Sequence, residues 1–390
     1  MRLGQIDSND FVERRKNLLN IINDNTVIII FSEQKSKILK YNLFDSNFYY
    51  LTGHSRNNAM ACIMHGKYVL IKNKQKCHNF ILEIEKFLND KVSNIKIIYS
   101  NILHDGNFNP TLLSWIKKFN KNHYQILNIN DLLQEMRMTK SIFEIKKMKK
   151  SALIATNSMI KAMCKCTPNI YEYELEAEIV YNFIKHRCRE LAFPVIVASG
   201  SNGCILHYFK NDKLLRSYNL VLVDIGIKYE NYCSDISRTF PINGKFTKQQ
   251  RCIYDIVLNA QLETIKKIKP GVNWYTLQNT AEEIITEELA KIKLFRINNT
   301  KENCKKFFTH KIGHWIGLDV HDLGSYKNDS SVFTPGMILT IEPGIYIKTM
   351  GLGIRIEDEI LVTQNGHLVL TNEAPKIPSE IEKLMRLKNL

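Results

Sequence analysis

The chain has 390 residues, 44% of them hydrophobic and 24% charged, which suits two globular domains with sizeable cores. Lys and Arg outnumber Asp and Glu by 54 to 39, a formal charge of +15, which raises nucleic acid or an acidic membrane as partners. No apolar run approaches the ~20 residues of a membrane span, and the start, MRLGQIDSNDFVERRKN, has no apolar secretion core.

Phe11 to Asn20 reads as an amphipathic helix, and the β-branched run Thr26 to Phe31 as a buried strand. Ala59 to Met64 and Lys67 to Ile71 read as a hairpin around His65-Gly66. Phe80 to Leu88 has helical spacing, and Ile95 to Tyr99 reads as a strand. A polar stretch, His104 to Pro110, precedes a short helix around Trp115. The expected boundary leaves an N-terminal α/β domain over 1–134 and a second domain over 135–390. Ser141 to Met163 is a long helix with Ile142, Ile145, Met148, Ala152 and Ala155 on one stripe. After Thr167-Pro168 comes a helix from Tyr171 to Lys185, then strands and a hairpin from Phe193 to Phe240. The pattern then recurs. Helix Lys248 to Ile268 ends at Pro270-Gly271, helix Tyr275 to Lys291 follows, and a second hairpin lies between Thr334 and Val362. The echo suggests two halves of similar architecture around one site.

The basic excess is diffuse. Its densest cluster, Lys146-Lys147-Met148-Lys149-Lys150, lies within a helix, and no nucleic-acid fold signature accompanies it. It reads as solvated faces, with no nucleic-acid or membrane partner. Nine cysteines without a CxxC pair fit a reduced, cytoplasmic protein with free thiols.

Both hairpins carry acids on apolar strands. In VLVDIGIKYENYCSDISRTF the midpoint between Asp224 and Asp235 falls between Tyr229 and Glu230. A turn there makes the two acids direct cross-strand neighbours. In ILTIEPGIYIKTMGLGIRIEDEILV the same arithmetic pairs Glu342 with Glu357. Adjacent carboxylates in an apolar setting either take up protons or are neutralised by a cation. Two such pairs point to a dication site, mononuclear or dinuclear. Between the hairpins, HKIGHWIGLDVHD holds His310, His314 and His321. A mixed carboxylate and imidazole set suits Mn, Zn, Co or Fe better than Ca or Mg, and four carboxylates with one imidazole lean to Mn. Gly313 and Gly317 argue against a zinc-protease helix. His207 follows Gly200-Ser201-Asn202-Gly203, whose glycines read as a simple turn. No GxSxG elbow or P-loop is present.

Together these residues resemble the pita-bread metallopeptidases, and within them the aminopeptidase P (Xaa-Pro aminopeptidase) family. The carrying motifs are VDIG, SDISRTFPINGKFT, HWIGLDVHD, LTIEPGIY, IRIEDE and SGSNGCILHY. FVERRKNLL and SNFYYLTG match more loosely. The resemblance implies an N-terminal α/β domain followed by a pita-bread catalytic domain with pseudo-two-fold halves. It implies two divalent metal ions, usually Mn, held by Asp224, Asp235, His314, Glu342 and Glu357, with Asp235 and Glu357 bridging. It implies substrate contact and transition-state stabilisation by His207 and His321, proton transfer by Glu342, and a substrate pocket involving His310, Tyr346 and Arg355. The implied substrates are peptides with proline at the second position, and the implied assembly is a dimer or tetramer. The implied mechanism is attack of an activated water on the carbonyl preceding proline. A prolidase limited to Xaa-Pro dipeptides and a non-catalytic binding protein on the same fold are the alternatives.

The chain also departs from that family. KNKQKCHNFILEIEKF lacks the tryptophan expected in the first domain. The acidic residue that pairs with the Arg355 position in some relatives reads as replaced around Lys37, and the Pro168-Asn169 turn lacks glycine. These changes bear on oligomer contacts, substrate range and turnover rather than on the metal ligands.

Overall fold

Thr26–Phe31 is buried along its whole length, as a β-branched run covered on both faces must be. In the computed structural model it is strand β1, at the centre of a five-stranded sheet. The structure describes residues 8–35, 42–55, 59–72, 79, 82, 95–101, 124–292, 300–326 and 332–387. These fall into two compact units, Met1–Met136 and Arg137–Leu390.

In the first unit, β2 (Glu33–Lys35) and β3 (Asn42–Phe44) form a small ribbon. Strands β4 (Met60–Met64), β5 (Lys67–Ile71), β6 (Ile97–Ser100) and β7 (Gln125–Asn128) complete the sheet, in the order β5-β4-β1-β6-β7. Met64 pairs with Lys67, so His65-Gly66 is a two-residue turn, and Gly66 supplies the positive φ of 75° that such a turn needs. Val27, Ile29, Phe31, Met60, Cys62 and Ile98 form the core on one face. The helix expected over Phe80 to Leu88, the polar stretch His104 to Pro110 and the helix around Trp115 lie outside the described residues.

The second unit opens on helix Ile142–Lys165, started by a capping box between Ser141 and Glu144. The expected apolar stripe needs one correction, because Ile142 is 83% exposed. The inward position of the first turn is taken by Glu144, which accepts a hydrogen bond from the Tyr232 hydroxyl at 2.9 Å. Ile142 lies two residues, ~200°, round the helix from it. The buried stripe runs instead through Met148, Ala152, Ala155 and Met159.

Helix Glu172–Lys185 packs on the first helix. The turn between them is closed by Asn169 at φ 67°, a left-handed position that Asn tolerates where glycine is absent. Strands β8 (Ile196–Ser199), β9 (Leu220–Ile225), β10 (Lys228–Tyr229), β11 (Tyr232–Cys233) and β12 (Ile236–Pro241) follow. Helices Lys248–Lys267 and Trp274–Lys291 then pack together. After helix Thr300–Phe307 come β13 (Ile338–Ile341), β14 (Gly344–Ile347), β15 (Leu352–Arg355), β16 (Asp358–Val362) and β17 (His367–Val369). Two helices followed by a three-stranded sheet therefore occur twice, with orders β12-β9-β8 and β13-β16-β17. One core runs through both halves, including Phe183, Val223, Tyr254 and Leu339.

The first hairpin departs from the expected register. Its turn residues are Glu230 and Asn231, both left-handed at φ 47° and 74°, as a two-residue type I′ loop demands. Tyr229 pairs with Tyr232, and Asp224 pairs with Ser237 rather than Asp235. Asp235 lies two residues from that position, hence on the same face. The second hairpin shows the expected register on both sides of its acids. Ile341 pairs with Asp358, and Gly344 with Arg355. Glu342 and Glu357 sit at the break between these ladders.

Eight of the cysteines are unpaired thiols among the described residues. No described helix is long and apolar enough to cross a membrane.

Candidate metal centre

Each acid enters the site from a strand end. Asp224 is the fifth residue of β9, Asp235 immediately precedes β12, and Glu357 immediately precedes β16. Glu342 follows β13. His314 arrives on an extended segment bridged to β13 through Trp315 and Leu339. Gly313 is needed there because a Cβ would overlap the carbonyl oxygen of Thr340. The segment is not helical, as its glycines led us to expect.

Three of these groups meet closely. Donor atoms of Asp235, His314 and Glu357 all lie within 4.8 Å of one another, and all three residues are buried. Nε2 of His314 is 3.5 Å from Asp235 Oδ2, 3.8 Å from Glu342 Oε1 and 3.9 Å from Glu357 Oε1. Nδ1 of His314 is 3.1 Å from the Trp315 carbonyl oxygen. A carbonyl only accepts, so Nδ1 carries the proton and Nε2 turns its lone pair to the carboxylates. Burial and then His321 push this imidazole down to about 3.

The acids repel one another. Burial, then Glu357, Asp224 and Glu342, raises Asp235 well above the carboxylate range. Burial and then Glu357 do the same for Glu342. Glu357 is pushed up to about 8 by burial and Asp224. Oδ1 of Asp224 and Oδ1 of Asp235 are buried without a hydrogen-bond partner among the described residues. A lone pair facing three carboxylates, beside two unsatisfied carboxylate oxygens, is a donor set with a cation's worth of charge missing. Divalent ions of the Mn and Zn type fit it.

Around this centre lies a hydrogen-bonded frame. Arg355 donates from Nη2 to Asp224 Oδ2 at 2.5 Å, from Nε to Ser237 Oγ at 2.9 Å and from Nη1 to the Tyr346 hydroxyl at 3.2 Å. Tyr346 in turn donates to His310 Nε2 at 2.7 Å, because His310 Nδ1 is used on the Lys311 carbonyl at 2.8 Å. Burial and then Arg355 push His310 down to about 4. The acidic partner of Arg355 is therefore Asp224. The region around Lys37 lies outside the described residues, as does most of KNKQKCHNFILEIEKF.

The ring of His321 stands 4.4 Å from that of His314. His207 is exposed, stacks on Phe209 at 6.0 Å and holds φ at 55°. It is an electrostatic neighbour of both His310 and His321. The glycines before it are more than the simple turn they read as. A Cβ on Gly353 would overlap the Gly203 carbonyl, so the His207 loop rests directly on β15.

Several supporting residues escaped the sequence reading. Ser237 donates to Glu357 Oε2 at 2.8 Å. The Glu359 carboxylate accepts the Asp235 backbone N–H at 2.9 Å. Fully buried Arg238 donates to the Glu357 carbonyl oxygen at 2.5 Å and to Asp358 at 2.7 Å. Against the upward push of burial, Arg238 and Lys376 hold Asp358 down to about 2. Strand alternation was the available signal. It puts Glu357 and Glu359 on one face and Asp358 on the other.

Residues 146–364 match metallopeptidase family M24. The Xaa-Pro aminopeptidase of Haemophilus influenzae is 34% identical, with 98% of each chain covered. The solved aminopeptidase PepP of Pseudomonas aeruginosa is 32% identical, with a TM-score of 0.88 over 99% of this chain and 100% of that one. Zinc-substituted aminopeptidase P of Escherichia coli, solved in complex with product, is 30% identical, with a TM-score of 0.88 over 99% of each chain. The mixed α/β architecture is accordingly that of the pita-bread enzymes. With its buried acids and imidazole at the strand ends, the chain belongs to metallopeptidase family M24.

Proposed function

We propose that this chain is an Xaa-Pro aminopeptidase that removes the N-terminal residue from peptides with proline in second position. The observation that carries the reading is the meeting of Asp235, His314 and Glu357 in a buried cluster, with Asp224 and Glu342 bearing on the same acids. Asp224, Asp235, His314, Glu342 and Glu357 would hold two divalent ions, Mn2+ in the cell. Such ions, when bound, polarise a carbonyl and bring the pKa of water towards neutrality.

The remaining steps belong to the chain's own groups. Glu342, whose proton affinity burial and Glu357 raise, takes a proton from the attacking water and delivers it to the leaving proline nitrogen. His207 and His321 stabilise the developing oxyanion. His310, kept neutral by burial and held by Tyr346, offers an uncharged ring to the proline side of the substrate. The chemistry resides in residues 135–390, a placement supported by the family match over 146–364. Residues 1–134 form the N-terminal aminopeptidase P-like domain. The unpaired thiols support a reducing, cytoplasmic setting.

Arg355, the guanidinium in this frame, is committed to Asp224, Ser237 and Tyr346. It is not presented to a dipeptide's terminal carboxylate, which favours longer substrates over the prolidase reading. The test is Mn-loaded protein offered Xaa-Pro-Xaa, Xaa-Pro and Xaa-Ala-Xaa peptides. Cleavage of the first alone, or of the first far above the others, is expected. Cleavage restricted to Xaa-Pro would make the protein a prolidase, and no cleavage of any would leave a binding protein.

A further inference from the structure

We propose that Glu172 is the positioning residue for His207. The inference rests on the reading of His207 as a group that contacts the substrate.

Glu172 is the first residue of its helix, a position at which an exposed acid is favoured by the helix dipole. It is instead fully buried. Its Oε1 accepts from Ser199 N at 2.7 Å, Ser199 Oγ at 2.7 Å and Asn202 Nδ2 at 3.1 Å. Its Oε2 accepts from the Tyr208 hydroxyl at 2.8 Å and Lys213 N at 3.0 Å. A buried carboxylate is tolerated only with such a set of donors. Every one of these donors lies on the segment 199–213, the segment that carries His207.

The same segment is pinned twice more. Buried Asn211, at φ 46°, accepts from Val197 N at 3.0 Å and donates to Glu176 Oε2 at 2.7 Å and to the Val195 carbonyl oxygen at 2.9 Å. On the other side Gly203 abuts Gly353. Between these anchors Ile205, Leu206 and His207 are exposed. His207 also holds a positive φ, a conformation that persists only where its surroundings impose it. The Tyr208 hydroxyl bond to Glu172, one residue away, is the nearest such constraint.

The carboxylate matters, not the volume. In Glu172→Gln one of the two oxygens becomes an NH2 that cannot accept from the donors facing it. The experiment is a double-mutant cycle on the Mn-loaded full chain, read as kcat and KM on an Xaa-Pro-Xaa peptide. It compares wild type, Glu172→Gln, His207→Ala and the double variant. Trypsin cleavage at Lys210 and Lys213 is followed in parallel.

His207→Ala is expected to lose on the order of 10²-fold in kcat/KM, and Glu172→Gln about tenfold or more. In the His207→Ala background, Glu172→Gln is expected to change kcat/KM by less than about twofold. A general loss of stability would instead lower both backgrounds equally. Faster cleavage at Lys210 is expected in both proteins that carry Glu172→Gln. Multiplicative losses, or near-wild-type activity of Glu172→Gln, would overturn the proposal while leaving the role of His207 intact. Full activity of His207→Ala would overturn that role, and the proposal with it. Should Glu172→Gln not fold, Tyr208→Phe, which removes one donor, takes its place in the same cycle under the same two outcomes.

Discussion

Arg355 donates to Asp224 across 2.5 Å, within a frame in which both side chains are nearly buried. One of the four central acids thus carries its own counter-ion. The other three share His314, whose Nδ1 proton is already engaged.

Removing that counter-ion should destabilise the metal-free protein. Arg355→Ala leaves Asp224 buried and unpaired, a change that costs roughly 3–5 kcal/mol when a buried pair is broken. Urea unfolding in the presence of a chelator measures it. Added Mn2+ should restore part of the loss, because it supplies the missing positive charge. A metal-free Arg355→Ala protein as stable as wild type would contradict the assignment.

The pH dependence of the metal-free protein has a definite sign. Glu357 is raised from 4.5 to about 8, so its contribution to stability is present below about 4.5 and is lost as pH rises through 8. His314 and His310 are lowered from 6.5 to about 3 and about 4. The unfolded chain binds their protons first, so they make stability rise with pH up to about 6.5. Above 6.5 the histidine effect is complete, and of the groups at this centre the raised carboxylates set the slope. Thermal unfolding of the metal-free protein should therefore move to lower temperature between pH 6.5 and 8. The stabilisation gained on adding Mn2+ should grow over the same interval. A stability that climbs from pH 6.5 to 8 without metal would be inconsistent with this site.

Glu357→Ala separates fold from function. It removes a proposed ligand and also a source of repulsion on Asp235 and Glu342. Metal occupancy and peptidase activity should be lost. The metal-free variant at pH 8 should unfold at a urea concentration no lower than that of wild type. Normal turnover in this variant would sink the ligand assignment.

Asp322 ties down the segment that carries His314 and His321. It receives Arg137 Nη2 and lies 3.2 Å from Lys140 Nζ, and all three side chains are almost wholly buried. Asp322→Ala should cost roughly 3–5 kcal/mol by leaving cations buried. Arg137 retains Asp319 at 2.8 Å, so the lower half of that range is expected. Chemical denaturation of the metal-loaded protein provides the figure.

Legibility in the sequence followed the reach of each signal. The run Thr26–Phe31 and the turn His65-Gly66 are local, and both were plain. In the second hairpin, glycines 351 and 353 centre the turn between Glu342 and Glu357, and the ladders on either side agree. The first hairpin misled by one residue at its turn, because Glu230 takes a left-handed conformation that is unusual for its type. Asp224 therefore faces Ser237, and Asp235 reaches the site from the next position on that face. The partners of Arg355 and Glu172 were invisible. They depend on which buried surfaces meet across more than a hundred residues for Asp224, and across a folded loop for Glu172. Neither distance leaves a periodic trace in the chain.

The most direct measurement is activity against Mn2+ added to metal-stripped protein, with bound metal quantified at each step. An Xaa-Pro-Xaa peptide is the substrate. Turnover should rise with added metal and level off when two ions are bound per chain. Glu357→Ala should show neither the binding nor the rise. Full turnover without bound metal, or no turnover at any Mn2+ level, would contradict a metal-dependent peptidase site.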